Sequence, residues 1–391
     1  MTIGFYSPLP PARTGVADYS AALLAELQRQ VGQSMSTVRP PEAAFRPRDS
    51  RHRLPHQILV SPRHCDIALY HIGNNALHAA IYRRALVQPG VVVLHDAVLH
   101  HFLLGQLPES DYIDEFVYNY GEWSRSLASD LWRGRAASGS DSRYFEYPML
   151  RRIAEQSRVV VVHNAAAADA LRRHTSRVRV VEIPHVALAP GPPPLAEVLR
   201  FRERLGVPQA AFLFGVFGYL RESKRLMSVL EAFAAVHAEL PAAGLLVAGP
   251  FVSSDLERAA APLLSAPGIV RLPYLEQRDF EMAAAAVDAC INLRYPAAGE
   301  SSGIAIRLMG IGKPVLVTDG PEYARVPADA CIRIAAGWGE RQSLREHMIL
   351  LTSMNQVARA IGQRGAGHIH AHHRVDQVGK QFWNLLCETC A

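Results

Sequence analysis

Short, unbroken aliphatic runs separated by helical stretches constrain this chain more than any other feature. Val91-Val92-Val93-Leu94 and Val159-Val160-Val161-Val162 contain no polar position. A strand with one wet face alternates apolar and polar residues, whereas a strand covered on both faces reads as a continuous apolar run, the pattern of a parallel sheet between helices. Ile3 to Tyr6, Ile67 to His71 and Val178 to Ile183 read as further strands. Between them lie helical segments: Val16 to Val31 with Leu23, Leu24 and Leu27 at helical spacing, Ala76 to Leu86, several helices between Ala97 and Gln156, and Ala165 to His174.

Residues 184–194 hold five prolines and no helical period, which reads as a linker. A second α/β series follows. Its strands are Phe212 to Phe217, Gly244 to Ala248, Ile269 to Leu272, Ala289 to Leu293 and Pro314 to Val317. Its helices are Lys224 to Glu239, Asp255 to Leu264, Arg278 to Ala286 and Gly303 to Gly312. With 391 residues, 49% of them hydrophobic, the chain is long enough for two cores. The expected organisation is a first Rossmann-like, doubly wound domain over 1–185, a linker over 186–199, a second such domain over 200–356 and a helical tail over 357–391. Two domains of this kind turn their strand carboxyl ends toward a cleft, where such folds bind ligands.

Several chemistries are missing. No G-x-G pair is completed to the dinucleotide fingerprint, and neither Gly312-Lys313 nor Gly379-Lys380 is followed by the Ser or Thr of a P-loop. No two aspartates stand two apart, so the D-x-D device that holds a metal on a sugar nucleotide is lacking and a metal-independent site is expected. The five cysteines are scattered, no secretory signal pattern opens the chain, and no apolar run approaches the roughly 20 residues of a spanning helix. A cytoplasmic protein follows as the expectation. Gly299-Glu300-Ser301-Ser302-Gly303 does match the G-x-S-x-G elbow, with Ser301 as nucleophile and His347, His368, His370, His372 or His373 as bases. An elbow serine follows its strand at once, however, and here Arg294 to Ala298 intervene.

Four loops at the expected cleft carry polar groups suited to a diphosphate sugar. The first runs from Pro11 to Val16, where Gly15 permits close backbone approach and the following helix supplies free N–H groups. In the second, His95 and Asp96 leave a buried strand directly into the cleft. The third, from Gly215 to Arg225, places Arg221, Lys224 and Arg225 at an expected helix N-terminus, where cations oppose the helix dipole unless an anion lies between them. The fourth presents the Glu300 carboxylate to sugar hydroxyls and the amides of Ser301, Ser302, Gly303 and Ile304 to a phosphate oxygen. Each loop also has a plain structural reading: a βα connection, a satisfied histidine, a solvated cationic face, or a serine N-cap.

Taken in order, the Gly15 loop, His95, the G-x-L-x-x-x-K of Gly218 to Lys224 and the block from Glu300 to Gly312-Lys313-Pro314 resemble the retaining glycosyltransferases of the GT-B fold. The resemblance is to the family 4-like group that includes bacterial mannosyltransferases and sucrose synthase, and it covers nearly the whole chain. It implies a UDP- or GDP-sugar as co-substrate with no other cofactor. His95 and Asp96 would lie at the sugar, Gly218, Arg221, Lys224 and Arg225 at the diphosphate, and Glu300 on sugar hydroxyls. The tail from Val357 would cross back to the first domain. Two positions depart from the family: Tyr219 stands where an Arg is usual, and Leu308 where a second Glu clamps the ribose.

The acceptor is expected to be a glycan or a lipid-linked sugar, with no nucleic-acid partner. Residues 1–190 hold 21 Arg against 17 Asp and Glu, a mild excess compatible with peripheral contact at an inner membrane surface, although pairs such as Arg83/Arg84 also read as solvated helix faces. Trp123, Trp132, Tyr112, Tyr118, Tyr120, Tyr144 and Tyr147 would either shape the acceptor site or pack a core. Three other functions stay open: a non-catalytic partner subunit, an epimerase or phosphorylase with Lys380 as the one lysine free for pyridoxal, and the Ser301 hydrolase.

Overall fold

The computed structural model describes residues 1–36, 56–188 and 191–390. Twelve strands in these residues form two six-stranded sheets, parallel throughout. The first contains β1 (Thr2–Tyr6), β2 (Gln57–Val60), β3 (Ile67–Ile72), β4 (Val91–Leu94), β5 (Val159–Val162) and β6 (Arg179–Glu182), in the order β2-β1-β3-β4-β5-β6. The second contains β7 (Phe212–Phe217), β8 (Ala243–Ala248), β9 (Ile269–Leu272), β10 (Ala289–Asn292), β11 (Val315–Thr318) and β12 (Ile332–Ile334), in the order β12-β11-β10-β7-β8-β9.

Burial follows the sequence pattern. All residues of β3, β4, β5, β7, β8, β10 and β11 are buried, as continuous apolar runs require. The sequence reading lacks β2 and β12. One is an edge strand with little buried surface and the other has three residues, so neither carries a long apolar run. Chain order reverses between β1 and β3 in the first sheet and between β7 and β10 in the second. These reversals mark the crevices in which open parallel sheets bind ligands.

Several boundaries move. The helix expected from Lys224 begins at Leu226, because Glu222–Lys224 forms a 3-10 turn and Arg225 adopts a left-handed conformation with φ 58°. A helix at Leu195–Arg204 starts inside the stretch read as linker, of which residues 189 and 190 lie outside the described residues. The tail is two helices, Asn355–His372 and Val375–Cys390. Val378, Phe382, Leu385 and Leu386 of the last one join Ile3, Phe5, Leu23 and Leu27 in a single core, so the chain's end is packed against its beginning. Each such side chain gains about 1.5–3 kcal/mol from leaving water.

Most aromatics between Ala97 and Gln156 belong to the core. Tyr112 and Tyr144 are fully buried, Tyr120, Tyr147 and Trp132 pack against them, and the Tyr118 hydroxyl donates to Glu155. Trp123 alone of that set is largely exposed.

Candidate active site

The loops that leave the two central strands of the second sheet meet at the cleft. After β7 the chain turns at Gly218, whose φ of 83° and tight contact with Ile304 suit glycine. Lys224 then folds back so that Nζ donates to the Phe217 carbonyl oxygen. After β10, Arg294 reaches Glu300 at 3.1 Å, and the Tyr295 amide donates to the Ser223 carbonyl at 2.7 Å, tying the two loops together. Arg225 takes another course: its left-handed backbone sends the guanidinium to Glu340, at 2.9 Å, and it does not join Arg221 and Lys224.

The second of these loops docks on the first domain. The Ala97 amide donates to the Ala298 carbonyl at 2.8 Å, and Asn164 Nδ2 donates to the Gly299 carbonyl and to Ser301 Oγ, both at 3.0 Å. Gly299 has φ 69°, and a side chain there would run into Ala97. Asp96 Oδ2 accepts from the Asn74 amide at 2.7 Å and faces this loop from the other side. Three cations, Arg221, Lys224 and Arg294, thus share the cleft with the carboxylates of Asp96, Glu300 and Glu322.

The electrostatics record that crowding. Burial, followed by the charges of Arg294 and Arg221, holds the Lys224 ammonium well below its ordinary value. Arg221 is lowered by the surrounding protein and by Arg294, although its side chain still reaches solvent in the cleft, which screens it. Enclosure, with Glu300 adding to it, pushes the Asp96 carboxyl up to about 6. An anion entering beside Lys224 would relieve the repulsion.

Other expected contacts are already occupied. Thr14 Oγ1 accepts from the Val16 amide at 3.0 Å, so that N–H is satisfied, while a side chain at Gly15 would meet nothing within 4 Å. Ser302 Oγ accepts from Asn292 at 2.9 Å and caps the helix Gly303–Gly310 through the Ala305 amide. The Gly303 and Ile304 amides at that helix start find no acceptor among the described residues. Ser301 is bonded by Asn164 and by no histidine among the described residues, so the hydrolase geometry is not formed.

Leu308, where the resembled family has its second Glu, is fully buried in the core of the second domain. Its neighbour Arg307 enters the cleft instead, bonding Asp18 across it at 3.2 Å and Gln277 at 3.1 Å. Arg13 pairs with Glu276 at 2.8 Å, and its carbonyl accepts from the Tyr219 hydroxyl at 3.0 Å. Tyr219 therefore spans the cleft.

The first domain contributes a feature that single positions do not reveal. His71 lies near the end of β3, and His95, His163 and His185 follow the ends of β4, β5 and β6. All four are buried around Tyr19, with ring centroids 4.7–5.7 Å from it. Burial holds His71, His95 and His185 well below the usual imidazole value and His163 at about 4, so the cluster is neutral. A signal for it exists in the sequence, where Val-Val-Val-Leu-His95-Asp96 and Val-Val-Val-Val-His163-Asn164 are near repeats at two strand ends.

No family model and no curated protein sequence matches the chain. Solved structures do. HepE of Anabaena, solved with UDP and glucose, aligns over 99% of this chain and 100% of its own with 13% identity and a TM-score of 0.61. Sucrose-phosphate synthase of Thermosynechococcus elongatus aligns over 99% and 98% with 15% identity and a TM-score of 0.63. The fold is GT-B. WaaG, a glycosyltransferase involved in lipopolysaccharide biosynthesis, has the same GT-B architecture over 99% of each chain, with 15% identity and a TM-score of 0.57.

Proposed function

We propose that the chain is a glycosyltransferase that moves a sugar, with retention and without a metal, from a nucleoside diphosphate to an acceptor hydroxyl. The observation that carries this reading is the convergence of three cations, Arg221, Lys224 and Arg294, at the topological switch point of the second sheet, close enough that Arg221 and Arg294 both oppose the charge on Lys224. A diphosphate between them would relieve that repulsion. As the glycosidic bond breaks, charge grows on the leaving oxygen, and fixed cations stabilise it most at that moment. The free Gly303 and Ile304 amides can take a phosphate oxygen.

Glu300 is held by Arg294 and by the Ala298 amide, at 2.8 Å, in a fixed orientation for sugar hydroxyls. Asp96 and His95 approach from the first domain. Asp96 and Glu300 are both engaged in hydrogen bonds or ion pairs and neither is free as a nucleophile, which favours a front-face displacement in which the leaving diphosphate accepts the acceptor's proton. HepE is solved with UDP-glucose, and a UDP-sugar is accordingly the first donor to try. The acceptor class is a glycan or a lipid-linked sugar, met in the cytoplasm or at the inner face of a membrane. Lys380 is exposed on the last helix, whereas a Schiff-base lysine is held in an enclosed site, so the pyridoxal alternative gains no support.

A panel of sugar nucleotides, read by mass spectrometry for donor hydrolysis and by thermal shift for binding, tests the reading. At 100 times its dissociation constant a true donor stabilises by about 2.7 kcal/mol. If no sugar nucleotide either protects or is cleaved, the reading fails.

A further inference from the structure

His71 Nδ1 and His95 Nε2 stand 3.1 Å apart, with the two rings stacked at 26°. Both side chains are buried, and burial disfavours the charged imidazole, so each ring carries one proton and a single proton lies between them. The two remaining nitrogens differ. Nε2 of His71 is sealed and meets no partner among the described residues, whereas Nδ1 of His95 is unpartnered but not sealed. If His95 supplied the shared proton, the proton of His71 would sit on the sealed Nε2 as an N–H with no acceptor. A buried N–H of that kind is rare and costs about 1–3 kcal/mol. The opposite arrangement leaves only a lone pair unmatched at the sealed nitrogen and puts the remaining proton of His95 on Nδ1, the nitrogen that is not sealed.

We propose that His71 fixes the tautomer of His95: Nδ1–H of His71 donates to Nε2 of His95, so that His95 carries its proton on Nδ1 and offers the cleft a hydrogen-bond donor. His71 is a positioning residue. His78 secures it in turn, through an Nδ1 hydrogen bond to the His71 carbonyl oxygen at 2.9 Å. Under the transferase reading, on which the functional half of this proposal rests, His95 then grips a sugar oxygen and takes no proton from the acceptor.

Nitrogen-15 histidine spectra of the full chain, assigned with His71→Leu and His95→Gln, read the tautomers without any turnover. His95 is expected with a protonated Nδ1 and a bare Nε2. In His71→Leu that state is lost, and kcat falls by about tenfold or more, as when a histidine loses its orienting partner at a metal site. The KM for donor is expected to change less than kcat. His71→Asn keeps an N–H donor near the Nδ1 position and should recover most of the difference. A wild-type His95 protonated on Nε2 overturns the proposal, even if His71→Leu does not fold. So does a His71→Asn enzyme whose kcat is no better than that of His71→Leu. If the tautomer is as stated but no sugar nucleotide is turned over, the transferase reading has failed and the tautomer assignment has not.

Discussion

At the strand ends of the first domain, four imidazoles pack ring to ring around Tyr19 and burial disfavours their charge; at those of the second, Arg221, Lys224 and Arg294 crowd together beside the carboxylates of Asp96, Glu300 and Glu322. Both sets stand where parallel sheets present ligand sites, yet burial acts on them differently. The histidines shed their charge and become shaped, neutral hydrogen-bonding groups. The guanidiniums keep theirs, because arginine does not deprotonate in proteins, and Lys224 is left under strain from its neighbours. Under the proposed transferase reading, one half of the cleft would orient the donor and the other half would neutralise it.

Removing charge from the second half should have the largest effect. Lys224→Ala is expected to lower kcat by about 10² to 10³, in line with about 3–4 kcal/mol for a group aimed at developing charge. Steady-state kinetics with the best donor of the panel checks this, and a near-normal kcat would remove Lys224 from the diphosphate site.

Acid should break the first half before the second. The folded pKa values of His71, His95, His163 and His185 lie below the unfolded value near 6.5, so the unfolded chain binds more protons as pH falls. Stability contributed by neutral imidazoles is therefore fully present above about pH 6.5 and declines below it. Each group removes up to about 1.4 kcal/mol per pH unit. The groups facing the cluster, His78 and His373, are lowered too and act in the same direction. Urea unfolding at pH 7.5 and pH 5.5 should differ by several kcal/mol. Equal stability at the two values would mean that the cluster is already charged or hydrated when folded.

Arg225 separates charge that serves the cleft from charge that serves the fold. Glu340 is almost fully buried, and Arg225 is its ion-pair partner. Arg225→Ala leaves that carboxylate uncompensated and should cost up to about 3 kcal/mol of stability. Donor KM is expected to stay within about twofold, a change worth only about 0.4 kcal/mol. A large rise in KM with unchanged stability would restore Arg225 to the donor site.

This residue also marks the limit of what the sequence discloses. Strands and cleft loops could be read because continuous apolar runs and the breaks after them are local patterns. That Arg221, Lys224 and Arg225 follow one strand is local as well, but a left-handed backbone at Arg225 sends its side chain away, and no spacing rule anticipates that. Leu308 and Arg307 make the same point on one helix, where a single step separates a core position from a cleft position. Asn164, Tyr19 and the four histidines come from five elements, and only the sheet order brings them together.

The smallest expected effect tests whether the first half truly works without charge. Tyr19 is fully buried, and its hydroxyl meets no hydrogen-bond partner among the described residues. A buried hydroxyl that forfeits its water costs free energy, and replacing it by an apolar group of the same shape is neutral or favourable. Tyr19→Phe keeps the ring that the histidines pack on and should leave stability unchanged or raise it by about 1 kcal/mol. Thermal unfolding measures this directly. A loss of more than about 1 kcal/mol would mean that the hydroxyl is bonded in solution. The imidazoles would then form a connected polar network around Tyr19, and the contrast with the cationic half would rest on net charge alone.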